Sequence, residues 1–165
     1  MRERELAASS WLLLSASDSE TARQDWRTHG LALLTCGPLL TAVRVPAGLV
    51  HAAAGSEDRE DAERWLARGL EGGPVFYDGV GNSYFALNPP SAAEAWRQQA
   101  VRVPGVEVLE PGSLLGVPAT DITQADLRRW VRWAVPMDGP GVLCLPSRVL
   151  RLVRAGEAAL EAREA

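Results

Sequence analysis

The chain has 165 residues, of which 47% are hydrophobic and 23% are charged. This length and balance are those of one globular domain with a sizeable core, and they argue against disorder of the whole chain. The net charge of −4 argues against non-specific binding to nucleic acid, because neutralisation of phosphates by basic residues drives that binding.

Residue usage is strongly biased: all 17 basic residues are arginine, and Ile122 is the sole isoleucine. This bias is typical of a protein from a GC-rich, actinobacterial genome, and it excludes chemistry that needs lysine, such as a Schiff base or a P-loop. Cys36 and Cys144 lie far apart, the apolar run at residues 11–14 is too short for a signal peptide, and no stretch approaches the length of a membrane span. We therefore expect a cytoplasmic protein with free thiols.

Helix and strand patterns interleave along the chain. Capping boxes at Ser17–Glu20 and Ser91–Glu94 predict helices that run to about His29 and about Val101. Further helices are predicted over 3–15, 47–54 and 56–70, and from Ser147 onward. Strands are predicted over 31–36, 41–45, 74–78, 83–87, 106–110 and 114–117.

Turn residues indicate how these strands pair. The loop Gly79–Asn82 predicts a hairpin between strands 74–78 and 83–87, and the turn Pro111–Ser113 predicts a second pair between 106–110 and 114–117. Residues 123–135 fit either a helix or a strand, and a turn of helix followed by a strand is favoured. The interleaving predicts an α+β fold, with a central antiparallel or mixed sheet and helices packed on it. A helix over residues 1–17 is expected to precede one globular domain over 18–165.

Four short segments carry a resemblance to a known family. They are Asp25-Trp26 followed by the strand LALLTC, the glycine-flanked hairpin ending in Tyr84-Phe85, the turn and strand Gly112–Pro118, and the segment with Trp130 and Trp133. Their order resembles the N-terminal domain of bifunctional DNA primase–polymerases (prim-pol domains), and the chain is similar to a stand-alone, degenerate actinobacterial relative of them. The resemblance implies a prim-pol-like sheet and a link to DNA replication.

The catalytic pattern of that family is missing. The resemblance implies two carboxylates at the end of a strand, which hold divalent ions for phosphoryl transfer. The corresponding strand here is TAVRVP, which has Arg44 and no carboxylate, and Asn82 stands where the hairpin of the family carries a histidine. We therefore predict no catalytic residue, no metal site and no cofactor.

The remaining candidates are binding residues. Asp78 could hold one metal ion, but an Asx interaction that caps its turn is favoured. In the run LRRWVRWAVP, Arg128, Arg129 and Arg132 alternate with Trp130 and Trp133, which is the composition of a surface that binds single-stranded nucleic acid or a protein. The alternative is that these rings pack in the core. Arg44, Asp78 and Asn82 complete the predicted binding set.

Three functions follow from these observations. The favoured one is a non-enzymatic, regulatory or binding module, with a protein partner preferred, single-stranded nucleic acid as the alternative ligand, and no membrane contact. The second is an active nucleotidyltransferase whose carboxylates come from Asp78, Glu107 or Glu110. The third is a structural protein that forms a homodimer through exposed tryptophans.

Overall fold

A computed structural model describes residues 2–99, 101–123 and 130–165 of the chain. The helices are α1 (Arg2–Leu13), α2 (Ser19–His29), α3 (Ala47–Ala54), α4 (Arg59–Gly69), α5 (Ala92–Gln98) and α6 (Pro146–Glu164). The strands are β1 (Leu31–Thr35), β2 (Thr41–Pro46), β3 (Val75–Asp78), β4 (Ser83–Asn88), β5 (Glu107–Val108), β6 (Leu114–Pro118) and β7 (Val131–Val135).

The strands form two antiparallel sheets. Five strands pair in the order β5-β2-β4-β3-β7, and β1 pairs with β6 in a separate two-stranded sheet. Helices pack on the larger sheet, so the predicted α+β class is confirmed. No helix in the described parts of the chain has both the length and the apolar character needed to cross a bilayer.

Alternate residues of the five-stranded sheet enter two separate cores. On one face, side chains such as Val45, Val75 and Tyr84 pack against residues of α3, α4 and α6. On the other face, Phe76 and Trp133 pack against β1, β6 and α1. The sheet therefore has a core on each side, and most residues of its central strands are buried whichever way they point.

The N-terminal helix belongs to the second of these cores. Leu12 of α1 is fully buried beside residues of β1 and β6. The predicted boundary at residue 17 stays a prediction.

The predicted helix starts are correct to within a few residues, but the capping residues differ. Asp18 caps α2 in place of Ser17, and its carboxylate accepts hydrogen bonds from the backbone N–H groups of Glu20 at 3.0 Å and Thr21 at 3.2 Å. Asp58 caps α4 in place of Ser56. A carboxylate at this position also interacts favourably with the helix dipole, which a serine hydroxyl cannot do as strongly.

The predicted pairing of strands 106–110 and 114–117 is wrong. β5 pairs with β2, and β6 pairs with β1. The turn between them bonds to β1 instead: Gly112 N donates to Cys36 O at 2.8 Å, and Cys36 N donates to Ser113 O at 2.9 Å. Gly112 adopts a φ of 91° in this turn, a left-handed conformation that glycine takes without steric cost. The strand at the end of the ambiguous segment is β7, as favoured, while residues 124–129 lie outside the described residues.

Candidate functional site

The hairpin between β3 and β4 uses its own polar side chains. Asp78 Oδ1 accepts a hydrogen bond from the backbone N–H of Val80 at 3.0 Å, which is the favoured Asx interaction. Asn82 has a φ of 49°, a left-handed conformation that asparagine tolerates. Its Oδ1 accepts a hydrogen bond from the Tyr77 hydroxyl at 2.8 Å. Both predicted site residues therefore have intramolecular partners.

Arg44 lies in the middle of β2, opposite Phe85 of β4 and Glu107 of β5. Its guanidinium is 3.9 Å from the Glu107 carboxylate, and the two side chains are 39% and 60% exposed. An ion pair at this distance and exposure is weak, because water screens both charges. Arg44 nevertheless has a local acidic partner.

The structure does not bring Arg44, Asp78 and Asn82 into one cluster. Arg44 and Asp78 point to the same face of the sheet, but β4 lies between their strands, which are therefore about 10 Å apart, and Asp78 is two residues further along the sheet than Phe76, the residue level with Arg44. The Asn82 side chain bonds to Tyr77, which belongs to the core on the other face. The backbone of Asn82 does meet the end of β2, since Ala47 N donates to Asn82 O at 2.9 Å.

The carboxylates proposed for an enzyme are also dispersed. Asp78 is on β3 and Glu107 is on β5, with β4 and β2 between them, so three strand spacings of about 14 Å in total separate their backbones. Among the residues that the structure describes, no three His, Cys, Asp or Glu side chains are grouped so as to hold a metal ion.

The structure corrects the prediction of a binding surface for Arg132 and Trp133. The Arg132 side chain is 1% exposed and that of Trp133 is 0% exposed. Trp133 packs edge-on against Phe76, with ring centroids 5.7 Å apart, and its Nε1 donates to Pro118 O at 3.1 Å. Because both faces of β7 are covered, these consecutive residues are both buried. Arg128 and Arg129 lie outside the described residues.

Trp130, unlike Arg132 and Trp133 of the same run, is exposed. Its side chain is 70% exposed, and its backbone carbonyl accepts a hydrogen bond from Gly79 N at 2.6 Å. A Cβ on Gly79 would lie 2.9 Å from the Trp130 ring, so the ring rests against the hairpin. Val80, which follows Gly79 in the hairpin, is 83% exposed. We call Gly79, Val80 and Trp130 the hairpin surface.

A charged cluster that the sequence analysis missed lies between α4 and the face of the five-stranded sheet that α3, α4 and α6 cover. Arg132 Nη1 and Nη2 donate to Glu63 Oε1 and Oε2, each at 2.8 Å, and the Tyr84 hydroxyl donates to Glu63 Oε2 at 2.7 Å. The hydrogen bond to Glu63 raises the pKa of Arg132. Burial raises the pKa of Tyr84 far above its ordinary value, and the negative charge of Glu63 adds to that shift. This cluster is therefore a charged pair with a neutral tyrosine.

Tyr77 links the charged cluster to the hairpin. The guanidinium carbons of Arg132 and Arg59 lie 5.2 Å and 4.9 Å from the centroid of its ring. Its hydroxyl meets Asn82 in the hairpin. One sequence signal pointed to this cluster: Glu63 lies three residues before Leu66 on the apolar stripe of α4, where a carboxylate needs a buried partner.

Comparisons with protein-family models, curated proteins and solved structures gave no match to this chain. The resemblance to prim-pol domains therefore stays a prediction drawn from the four segments of the sequence.

Proposed function

We propose that this chain is a non-enzymatic binding module with a prim-pol-like sheet, and that it recognises a protein partner through the hairpin surface. The observation that carries the proposal is the exposure of two apolar side chains, Trp130 at 70% and Val80 at 83%, on segments that the hydrogen bond from Gly79 N to Trp130 O holds together. Tryptophan is enriched among the residues that contribute most to the binding energy of protein interfaces.

The polar groups near the hairpin favour binding over catalysis. A two-metal nucleotidyltransferase needs carboxylates that converge on the reacting phosphate. Asp78 accepts a hydrogen bond within its own turn, and Glu107 faces Arg44 of the neighbouring strand, three strand spacings from Asp78. In the proposed function the family-like sheet is a scaffold that holds the hairpin surface in place.

A protein partner is favoured over nucleic acid by charge. The chain has a net charge of −4, and Arg132 of the arginine-rich run is buried against Glu63. Bases can stack on an exposed tryptophan, so single-stranded nucleic acid is the second candidate. A second copy of the chain is the third.

Site-specific photo-crosslinking in the native host tests the proposal. A photoreactive phenylalanine analogue at position 80 should give a discrete adduct with one protein, while the same analogue at Leu160 of α6, which is also exposed, should not. The crosslinked protein is then identified by mass spectrometry. The affinity of that protein, once purified, for the purified chain is measured by calorimetry. Trp130→Ala should weaken that affinity at least about tenfold, whereas Leu160→Ala should leave it unchanged.

Other outcomes contradict the proposal in distinguishable ways. Adducts that disappear on nuclease treatment would support the nucleic-acid alternative, and adducts between two copies of the chain would support the homodimer. Equal crosslinking from both positions would show that the hairpin surface has no special role.

A further inference from the structure

Tyr77, near the end of β3, has a side chain that reaches the hairpin from the core of the protein. We propose that Tyr77 is a positioning residue, which holds the hairpin surface in the conformation that its partner binds. This inference rests on the proposed function of that surface. Tyr77 is only 7% exposed, so it acts through the hairpin and not as a contact residue of its own.

The hydroxyl of Tyr77 fixes one end of the hairpin loop. It donates a hydrogen bond of 2.8 Å to Oδ1 of Asn82, the residue that precedes β4. Asn82 has a left-handed φ of 49°, and its carbonyl accepts a hydrogen bond from Ala47 N at 2.9 Å. Because few residues other than glycine adopt this φ, the two bonds that hold Asn82 stabilise one loop conformation over its alternatives.

The ring of Tyr77 supports the other end of the loop. A Cβ on Gly79 would lie 3.5 Å from Cε2 of Tyr77 and 2.9 Å from the ring of Trp130, so both rings meet the hairpin at the same glycine. Gly79 N also donates to Trp130 O at 2.6 Å. The Tyr77 ring therefore limits where Gly79 and the exposed ring of Trp130 can lie.

Neighbouring side chains hold the Tyr77 ring in turn. The guanidinium carbons of Arg132 and Arg59 lie 5.2 Å and 4.9 Å from its centroid, and the ring of Tyr84 lies 5.1 Å from it at an angle of 51°. Arg132 is itself fixed by two hydrogen bonds of 2.8 Å to Glu63. A surface that is ordered before binding loses little further conformational entropy when the partner arrives, and this preorganisation favours affinity.

Two matched variants of the full chain test the inference. Tyr77→Phe removes the hydroxyl that meets the hairpin, and Tyr84→Phe, at the residue paired with Tyr77 on β4, removes a hydroxyl that meets the charged cluster. In amide hydrogen exchange followed by NMR, the N–H groups of Gly79 and Ala47 should exchange about threefold to tenfold faster in Tyr77→Phe, the effect of losing one hydrogen bond. Tyr84→Phe should leave the ratio of these rates to those of core amides unchanged.

Calorimetry then measures the affinity of both variants for the protein captured by the crosslink at position 80. Tyr77→Phe should weaken this affinity about threefold to tenfold, and Tyr84→Phe should keep it within about twofold of the wild type even where its urea midpoint is lower. Unchanged exchange at the hairpin in Tyr77→Phe, wild-type affinity of that variant, or equal losses of affinity in both variants would overturn the inference. An affinity that Trp130→Ala leaves unchanged would instead contradict the proposed function on which the inference rests.

Discussion

Replacing Glu63 with glutamine would leave the guanidinium of Arg132 buried without a counter-charge. The carboxylate of Glu63 accepts three hydrogen bonds, two from Arg132 and one from Tyr84. Glutamine has nearly the same shape, but its amide nitrogen would face an N–H of Arg132, and two donors cannot bond to each other. The substitution therefore changes the chemistry of the cluster and preserves its packing.

The expected magnitude follows from burial. Glu63 is 2% exposed and Arg132 is 1% exposed, so water can hardly replace the lost carboxylate. Removing one partner of such a pair costs about 3–5 kcal/mol of the free energy of unfolding, a large part of the total of about 5–15 kcal/mol for a natural domain.

Urea denaturation followed by tryptophan fluorescence measures this loss as a lower transition midpoint at constant slope. The triple variant Glu63→Leu, Arg132→Met, Tyr84→Phe removes every polar member of the cluster, and it should stay within about 2 kcal/mol of the wild type. Arg64→Gln breaks the pair between Arg64 and Asp61, whose side chains are 63% and 48% exposed, and should cost less than about 1 kcal/mol.

The reasoning would be refuted if Glu63→Gln cost no more than the exposed control. It would also be refuted if the triple variant were less stable than Glu63→Gln, because the cluster would then contribute net stability and not merely avoid an unpaired charge.

Gly156→Ala should lower the free energy of unfolding by about 1–3 kcal/mol, since a Cβ there would lie 2.6 Å from Leu49 O. A Cβ at Gly69 would have no atom within 4 Å, so Gly69→Ala should be neutral or stabilising. In thermal melts, the midpoint temperature should fall for Gly156→Ala and stay constant or rise for Gly69→Ala. Burial raises the pKa of the Cys144 thiol from 9.0 to about 12. The folded state then keeps a proton that the unfolded state loses, so this contribution to stability is complete below about pH 9 and is lost as the pH rises towards 12. Urea midpoints measured below and above pH 9 should therefore fall more for the wild type than for Cys144→Val, and equal falls would contradict the assigned burial effect.

The parts of the fold that local chemistry determines were predictable from the sequence. The Asx turn at Asp78 depends on a residue two positions away, and the end of α2 depends on Gly30, which adopts a φ of 74°. Both features follow from short-range rules that need no knowledge of the rest of the chain.

The misassigned features depend on distant partners. The sequence around Arg132 predicts an exposed cationic run. In the structure Arg132 is buried, because it forms an ion pair with Glu63, which lies 69 residues earlier in the chain. The strand after Gly112 pairs with β1, and residues of both strands enter the core on one face of the five-stranded sheet. Trp130 and Trp133 have identical side chains three residues apart, and the covering of β7 on both faces decides which of them meets solvent.

Calorimetric titration with Mn²⁺, combined with a primer-extension assay on a single-stranded template, tests the central proposal that the five-stranded sheet is a scaffold without metal-dependent catalysis. The account predicts no saturable Mn²⁺ binding and no incorporation of nucleotides. Saturable binding together with template-dependent incorporation, both abolished by Asp78→Asn, would contradict it.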